Sequence, residues 1–310
     1  MVTSTKFPLL KLPLLCIQNA FLQCKVFDLV NISFLSKKCH WIVKHVKTDL
    51  HFVDIDVKKD CVCILFRYEN TPVFGQCPLL SVKTSIAYFM DLFNIQIGMF
   101  YSRSHDLPVS KRPDLVDIDS CECLSIEEDD PMENDELTRL LENIKISRML
   151  YVKMPINPGF YCDPKKFKGE RLDLRNFSGG WIDRNFLFNL GAKNIQLRNC
   201  DVSKINARDV EDFIDRWYQS DDNKFTFLIM TWTQNPGQVD LLKFNAHDWD
   251  EKRRGQFFRF HAKSKMNLAR GRDIIRSDGL IGTVYTGMRD TLVFCVWHDR
   301  FPNVDGLADC

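Results

Sequence analysis

The sequence predicts an α/β fold: a three-helix N-terminal module, then strands and helices in alternation, then antiparallel strands at the C-terminus. Three observations point to it. Apolar residues recur at helical spacing through the first 47 residues, L-x-L strands return at a nearly constant interval in the second half, and short apolar runs separated by turn residues close the chain. The expected divisions are 1–47, a helical module; 48–134, a strand-rich segment ending in an acidic linker; and 135–310, a recognition domain. With 310 residues, 45% apolar and 27% charged, the chain is long enough for about two conventional cores.

Pro13 suits a first helical position, and Leu14, Ile17 and Phe21 follow it at spacings of three and four. From Val26 to Leu35 the chain is apolar on nearly every side of a helix. Ser36 is a good cap for a third helix, which places Cys39, Ile42, Val43 and Val46 on one face. Some forty residues bury too little surface to absorb an all-round apolar helix, so the excess is expected to face the rest of the chain or another protein.

Strands are expected at His51 to Val57 and Cys61 to Phe66, joined by a turn at Lys58 to Asp60. Ser81 to Phe93 reads as an amphipathic helix through Ile86, Phe89, Met90 and Phe93, with a strand at Ile95 to Tyr101 after it. From Ser102 to Asn134, Pro108, Pro113 and Pro131 accompany a run of mutually repelling acids that begins at Glu127, and this stretch is expected to be a loop.

Leu150, Leu172 and Ile195 open L-x-L-like strands spaced 22 and then 23 residues apart. In the last two, Asn176 and Asn199 follow the strand as in a leucine-rich repeat, which predicts a parallel sheet backed by helices. Asn206 to Trp217 reads as a helix with Val210, Phe213, Ile214 and Trp217 on one face, leading into a strand at Phe225 to Thr231. Asp273 to Ile275, Leu280 to Tyr285 and Leu292 to Trp297 read as antiparallel strands, the first two joined at Ser277 to Gly279. In the repeat, alternation puts Tyr151, Lys153, Asp173, Arg175, Gln196 and Arg198 on the face opposite the leucines, which makes Lys153, Asp173, Arg175, Gln196 and Arg198 the candidate target-binding residues.

Chemistry finds little foothold. No phosphate-cradling glycine loop, G-x-S-x-G or H-E-x-x-H motif occurs, and seven histidines are scattered. His247 to Glu251 is expected to be a solvated loop rather than a metal site. Twelve cysteines include no C-x-x-C, so reduced thiols in a cytoplasmic or nuclear protein are expected, with no metal and no cofactor. The apolar stretch Phe7 to Leu15 is broken by Pro8, Lys11 and Pro13, and no run approaches the ~18 residues of a membrane span, so no membrane partner is expected. Net charge is +1, yet Lys252 to Arg276 holds nine cations, one acid and the interleaved Phe257, Phe258 and Phe260. That segment offers a nucleic-acid surface as an alternative, although a basic solvated face is the expected reading and nucleic acid is not expected as a partner.

Leu12-Pro13, followed by Ile17, Phe21, Asp28, Leu29, Ser33, Lys37 and Lys38, resembles an F-box, and the opening Phe7 to Pro13 is similar to its nematode-expanded branch. Downstream, Leu172 to Val202, Val210 to Trp217, Ile275 to Gly279 and Phe294 to Trp297 resemble that branch's type 2 F-box-associated region. The resemblance implies a noncatalytic substrate-recognition subunit of an SCF-type cullin-RING ubiquitin ligase. Its partners would be a Skp-type adaptor, a cullin held through that adaptor, and an unknown protein target. It implies Pro8, Leu12, Pro13, Ile17, Phe21, Leu29 and Val30 as adaptor-binding residues. The competing reading is a ubiquitin-independent interaction domain whose N-terminal helices cap its own core.

Overall fold

A computed structural model describes residues 9–57, 62–68, 72–77, 82–102, 118–157, 159–175, 180–198, 202–232, 238–261, 263–287 and 291–309. Two compact units divide the chain at Glu127/Glu128. Both are mixed α/β.

The first unit begins with helices α1 (Leu14–Leu22), α2 (Val26–Ser33) and α3 (Lys37–Lys44). Strands β1 (Leu50–Val57), β2 (Val62–Tyr68) and β3 (Pro72–Cys77) follow, then α4 (Val82–Phe93), β4 (Gln96–Ser102) and β5 (Ser120–Glu127). Ser36 caps α3 as its sequence suggests, its side chain accepting from the Cys39 N–H at 3.1 Å. The strands form a sheet in the order β5-β4-β1-β2-β3, parallel across β5-β4-β1 and antiparallel across β1-β2-β3. Val53, Ile55 and Val57 of β1 stand in register with Phe66, Ile64 and Val62 of β2, and all six are fully buried. Helices pack on this sheet through one ring. Phe66 receives Phe27 of α2 at 5.5 Å and Phe89 and Phe93 of α4 at 5.3 and 5.6 Å, each edge to face.

One expectation changes here. The loop expected over Ser102 to Asn134 holds a strand, because Cys121, Cys123, Leu124 and Ile126 are buried in β5. The apolar stretch Val26 to Leu35 divides: Val26, Leu29 and Val30 are buried and Phe27 lies on Phe66, while Phe34 and Leu35, beyond the end of α2, stay exposed. The turn expected at Lys58 to Asp60 lies outside the described residues.

The second unit contains α5 (Asn134–Asn143), β6 (Lys145–Lys153), β7 (Arg171–Arg175), α6 (Arg184–Asn189), β8 (Asn194–Arg198), α7 (Ala207–Gln219) and β9 (Phe227–Thr231). These precede β10 (His247–Asp248), β11 (Phe257–His261), β12 (Ser264–Asn267), β13 (Arg272–Ile275), β14 (Ile281–Gly287), β15 (Thr291–Trp297) and β16 (Ala308–Asp309). Its main sheet runs β10-β13-β14-β15-β9-β8-β7-β6, parallel from β6 to β9 and antiparallel from β9 to β10. Leu150, Leu172, Ile195 and Leu228 lie in one register across the parallel strands, followed by Val152, Leu174, Leu197 and Met230, all buried. The repeat spacing thus becomes two apolar columns beneath the helices. On the opposite face a smaller sheet, β11-β12-β16, covers the β9 to β15 end by packing Phe258, Phe260 and Leu268 on Phe227, Ile229, Val293 and Trp297. Gly279, at φ +86°, makes the turn into β14 that Ser277 to Gly279 foretold. No helix among the described residues is long and apolar enough to cross a membrane.

Candidate functional site

The first candidate surface is the helical module, where the structure reverses the roles expected of several residues. Ile17, Phe21, Leu29 and Val30 are 2%, 2%, 2% and 6% exposed, so they form the module's interior rather than an interface. Leu12 is half-buried and Pro13 exposed, while Pro8 lies outside the described residues. The outward apolar residues are different ones: Leu14, Leu15, Leu22, Phe34, Leu35 and Trp41. Leu15 at 73% and Leu35 at 76% are the most open of them. Two hydrogen bonds set the level of α1 against α3, Lys38 Nζ to Leu10 O at 3.0 Å and Gln18 Nε2 to His45 O at 3.0 Å. Phe34 stacks on Tyr88 at 4.8 Å.

A polar chain fixes α4 to this module. Ser33 Oγ donates to Val30 O at 2.5 Å, so it accepts from the Tyr88 hydroxyl at 2.6 Å, and that hydroxyl oxygen in turn accepts from His40 Nδ1 at 3.2 Å. Lys44 Nζ meets Asp91 at 2.5 Å and holds its carboxyl below the usual carboxylate range. The inner face of the module is thereby committed to the first unit.

The second candidate surface is the sheet face opposite the leucines. Lys153, Arg175 and Arg198 stand in one register on β6, β7 and β8. Behind them Asp173 and Gln196 are 1% and 0% exposed, which removes both from any direct contact with a target. Asp173 is instead the anchor of the cations: it accepts from Arg175 Nε at 3.0 Å, Arg175 Nη2 at 3.1 Å and Arg171 Nη2 at 3.1 Å. Burial, partly offset by Asp173, lowers the Arg171 pKa, and the neighbouring Arg175 and Arg198 push it the same way. Arg175 lies 5.2 Å from the Tyr151 ring and Arg198 5.8 Å from that of Phe260. The sequence could not show which polar residues of this face close over, because β11 and β12, which cover part of it, come much later in the chain.

Two cations of the basic segment Lys252 to Arg276, Arg254 and Arg276, are buried, while Lys252, Arg253, Arg259, Lys263, Arg270 and Arg272 are exposed. Arg254, at 0% exposure, donates to both oxygens of the buried Asp273 and to the carbonyls of Gly255 and Leu268. Arg276 donates to Asp222 O at 2.8 Å and pairs with Asp278, whose carboxyl it pulls down to about 2 with help from the Leu280 N–H. Arg272 pairs with Asp248, which joins the His247 to Glu251 region to β13. Phe258 and Phe260 are core residues and offer no stacking platform, whereas Phe257 is half-buried with Lys265 Nζ 4.8 Å from its ring.

Depressions exist without catalytic chemistry to match. One, about 360 Å³, lies between α6, α7 and β8, where Ser220 Oγ donates to Trp217 O and Lys193 pairs with Glu170. Among the described residues no group of His, Cys, Asp and Glu is placed to hold a metal ion. Cys39, Cys63, Cys121, Cys123, Cys162 and Cys295 are buried thiols, and burial raises Cys162 to about 11 and Cys121 to about 12, away from nucleophilic use. No protein-family model, curated protein or solved structure matches the chain.

Proposed function

We propose that the chain is a substrate receptor of an SCF-type ubiquitin ligase. The N-terminal helices dock on a Skp-type adaptor and through it a cullin, and the second unit holds a protein target. The observation that carries this reading is that Leu14, Leu15, Leu35 and Trp41 are all exposed on a module that also packs on its own unit. Apolar side chains left open on a folded helical bundle favour a partner that covers them. The role requires no covalent chemistry of the chain, since holding a target beside a charged enzyme raises its effective concentration.

The reading in which these helices only cap their own core accounts for Phe27 on Phe66 and Phe34 on Tyr88, and for nothing on the outer face. A direct pull-down with purified Skp-type adaptor separates the two. The wild-type chain is expected to bind, and Leu15→Asp with Trp41→Asp to abolish binding while leaving the circular dichroism spectrum unchanged. No binding by a folded wild-type chain leaves the capping role alone.

A further inference from the structure

We infer that a polar cavity between the small sheet and β14 binds the free C-terminal carboxylate of a polypeptide, with Arg270 as its cation. This rests on the assignment of target holding to the second unit and gives that role a place and a chemistry.

The cavity, about 420 Å³, is lined by Gln256, Asn267, Ala269, Arg270 and Tyr285. Local hydrogen bonds set its walls. Leu268 N–H donates to Gln256 O at 2.9 Å, and Gly271 N–H donates to Leu268 O at 3.0 Å, closing the turn that carries Arg270. The Leu268 carbonyl is held again by Arg254 Nη2 at 3.0 Å, and Leu268 itself is fully buried. Gly271 allows the turn to lie close on β14, because a Cβ there would collide with the Thr283 methyl group. The pairing of Arg272 with Val284 brings this turn and Tyr285 to the same end of the β13–β14 ladder. Tyr285 is half-buried, packed against the core cluster of Phe258, Leu268 and Trp297.

The groups left to a ligand are mostly hydrogen-bond donors. Asn267 Oδ1 is taken by the Ala269 N–H at 3.0 Å, which leaves the Asn267 amide N–H groups. Among the described residues the Arg270 guanidinium, the Gln256 side-chain amide and the Tyr285 hydroxyl have no hydrogen bond or ion pair, and no acid lines the cavity. The nearest acid in sequence, Asp273, is 2% exposed and already accepts from Arg254 and Thr283. A donor-rich cavity with one cation calls for one negative charge, and a guanidinium fork matches the two oxygens of a carboxylate. A phosphate dianion would call for a second cation, and the lining has none. Gln256 carries both a donor and an acceptor, the pair that the peptide amide next to a terminal carboxylate requires. Ala269 and the Tyr285 ring are the apolar parts of the wall, so a small last residue fits.

The test uses the full chain and two peptides, acetyl-Gly-Ser-Gly-Ala with a free C-terminus and the same sequence amidated, in saturation-transfer NMR at millimolar peptide. The free acid is expected to bind, more weakly with added salt, and the amide not to bind. Arg270→Gln, which breaks no contact of the fold, is expected to weaken binding about tenfold or more. Tyr285→Phe, which keeps the packed ring, should weaken it about fivefold, with unfolding midpoints unchanged in both variants. Binding of both peptides alike, of neither, or undiminished by Arg270→Gln overturns the inference. So does stronger competition by inorganic phosphate than by acetate, which would make the cavity a phosphate site. Acetate binding as tightly as the peptide overturns it too, because the amide contacts would then count for nothing. Because no adaptor is present, a failed adaptor pull-down with intact peptide binding refutes only the ligase role, and the converse refutes only the cavity.

Discussion

A guanidinium with no exposure at all is tolerable only where its donors are used, and Arg254 meets that condition. Nε and Nη2 reach Asp273 at 2.9 to 3.0 Å, Nη1 reaches Gly255 O, Nη2 reaches Leu268 O, and the indole of Trp297 lies 4.7 Å away. The chain continues outward, since Thr283 Oγ1 donates to Asp273 at 2.7 Å and accepts from Trp297 Nε1 at 2.8 Å. Truncating one member strands the other's charge in a medium that cannot solvate it. Arg254→Met is therefore expected to cost about 3–5 kcal/mol, read as a lower denaturant midpoint. Arg254→Met combined with Asp273→Leu should recover much of that loss, because neither charge is left behind. An Arg254→Met protein as stable as wild type would show that water reaches the site. The same pair shows how one cation of a basic stretch comes to serve a core: sequence displays charge, and the partner that neutralises Arg254 is 19 positions away.

Elements differ in how far their own residues announce them. Asn206 to Trp217 was legible as a helix because its signals are local, and the structure ends it two residues further on, at Gln219. Asn206 Oδ1 accepts from the Asp209 N–H at 3.1 Å and Asp209 Oδ2 accepts from the Asn206 N–H at 3.0 Å, a reciprocal box. Asn206→Ala should cost about 1 kcal/mol in chemical denaturation, and Asn206→Ser much less; an unchanged midpoint in the alanine variant would show the box to be dispensable. The L-x-L strands were equally legible, since Leu150, Leu172 and Ile195 needed only their spacing to fall into register. By contrast α5 was hidden in the acidic run. Asp135 and Glu136 occupy its first turn, where negative charge is favourable, and Leu137 and Leu140 carry the burial. Helix α6 is six residues long, too short to display a period. Ile17, Phe21, Leu29 and Val30, expected to face an adaptor, are buried for a related reason. In a module apolar on most sides, the inward face is selected by Phe66, Tyr88 and the rest of a core that the module's own sequence does not contain.

At the scale of the molecule two quantities act together on solution behaviour. The net charge is +1, so long-range repulsion between copies is weak near neutral pH. Meanwhile Leu14, Leu15, Leu35 and Trp41 stand on a rigid support, with Leu15 and Leu35 about three-quarters exposed. Flexible apolar side chains on a mobile segment would cover one another; here the α1 to α3 hydrogen bonds and the α4 contacts keep them apart and outward. With neither charge nor self-coverage to oppose contact, the isolated chain is expected to self-associate at micromolar concentration, which light scattering behind size exclusion would read as a mass above that of one chain. Leu15→Asp with Leu35→Asp both removes apolar area and adds repulsion, and should return the monomer mass. Binding of a partner to the same face should do so too, because one surface cannot serve both contacts. If the chain runs as a monomer at every concentration while the adaptor still binds, docking uses some other face. If the aspartate variant still associates, the contact lies elsewhere, and Leu242 and Phe301, the large exposed apolar residues of the second unit, become the next positions to change.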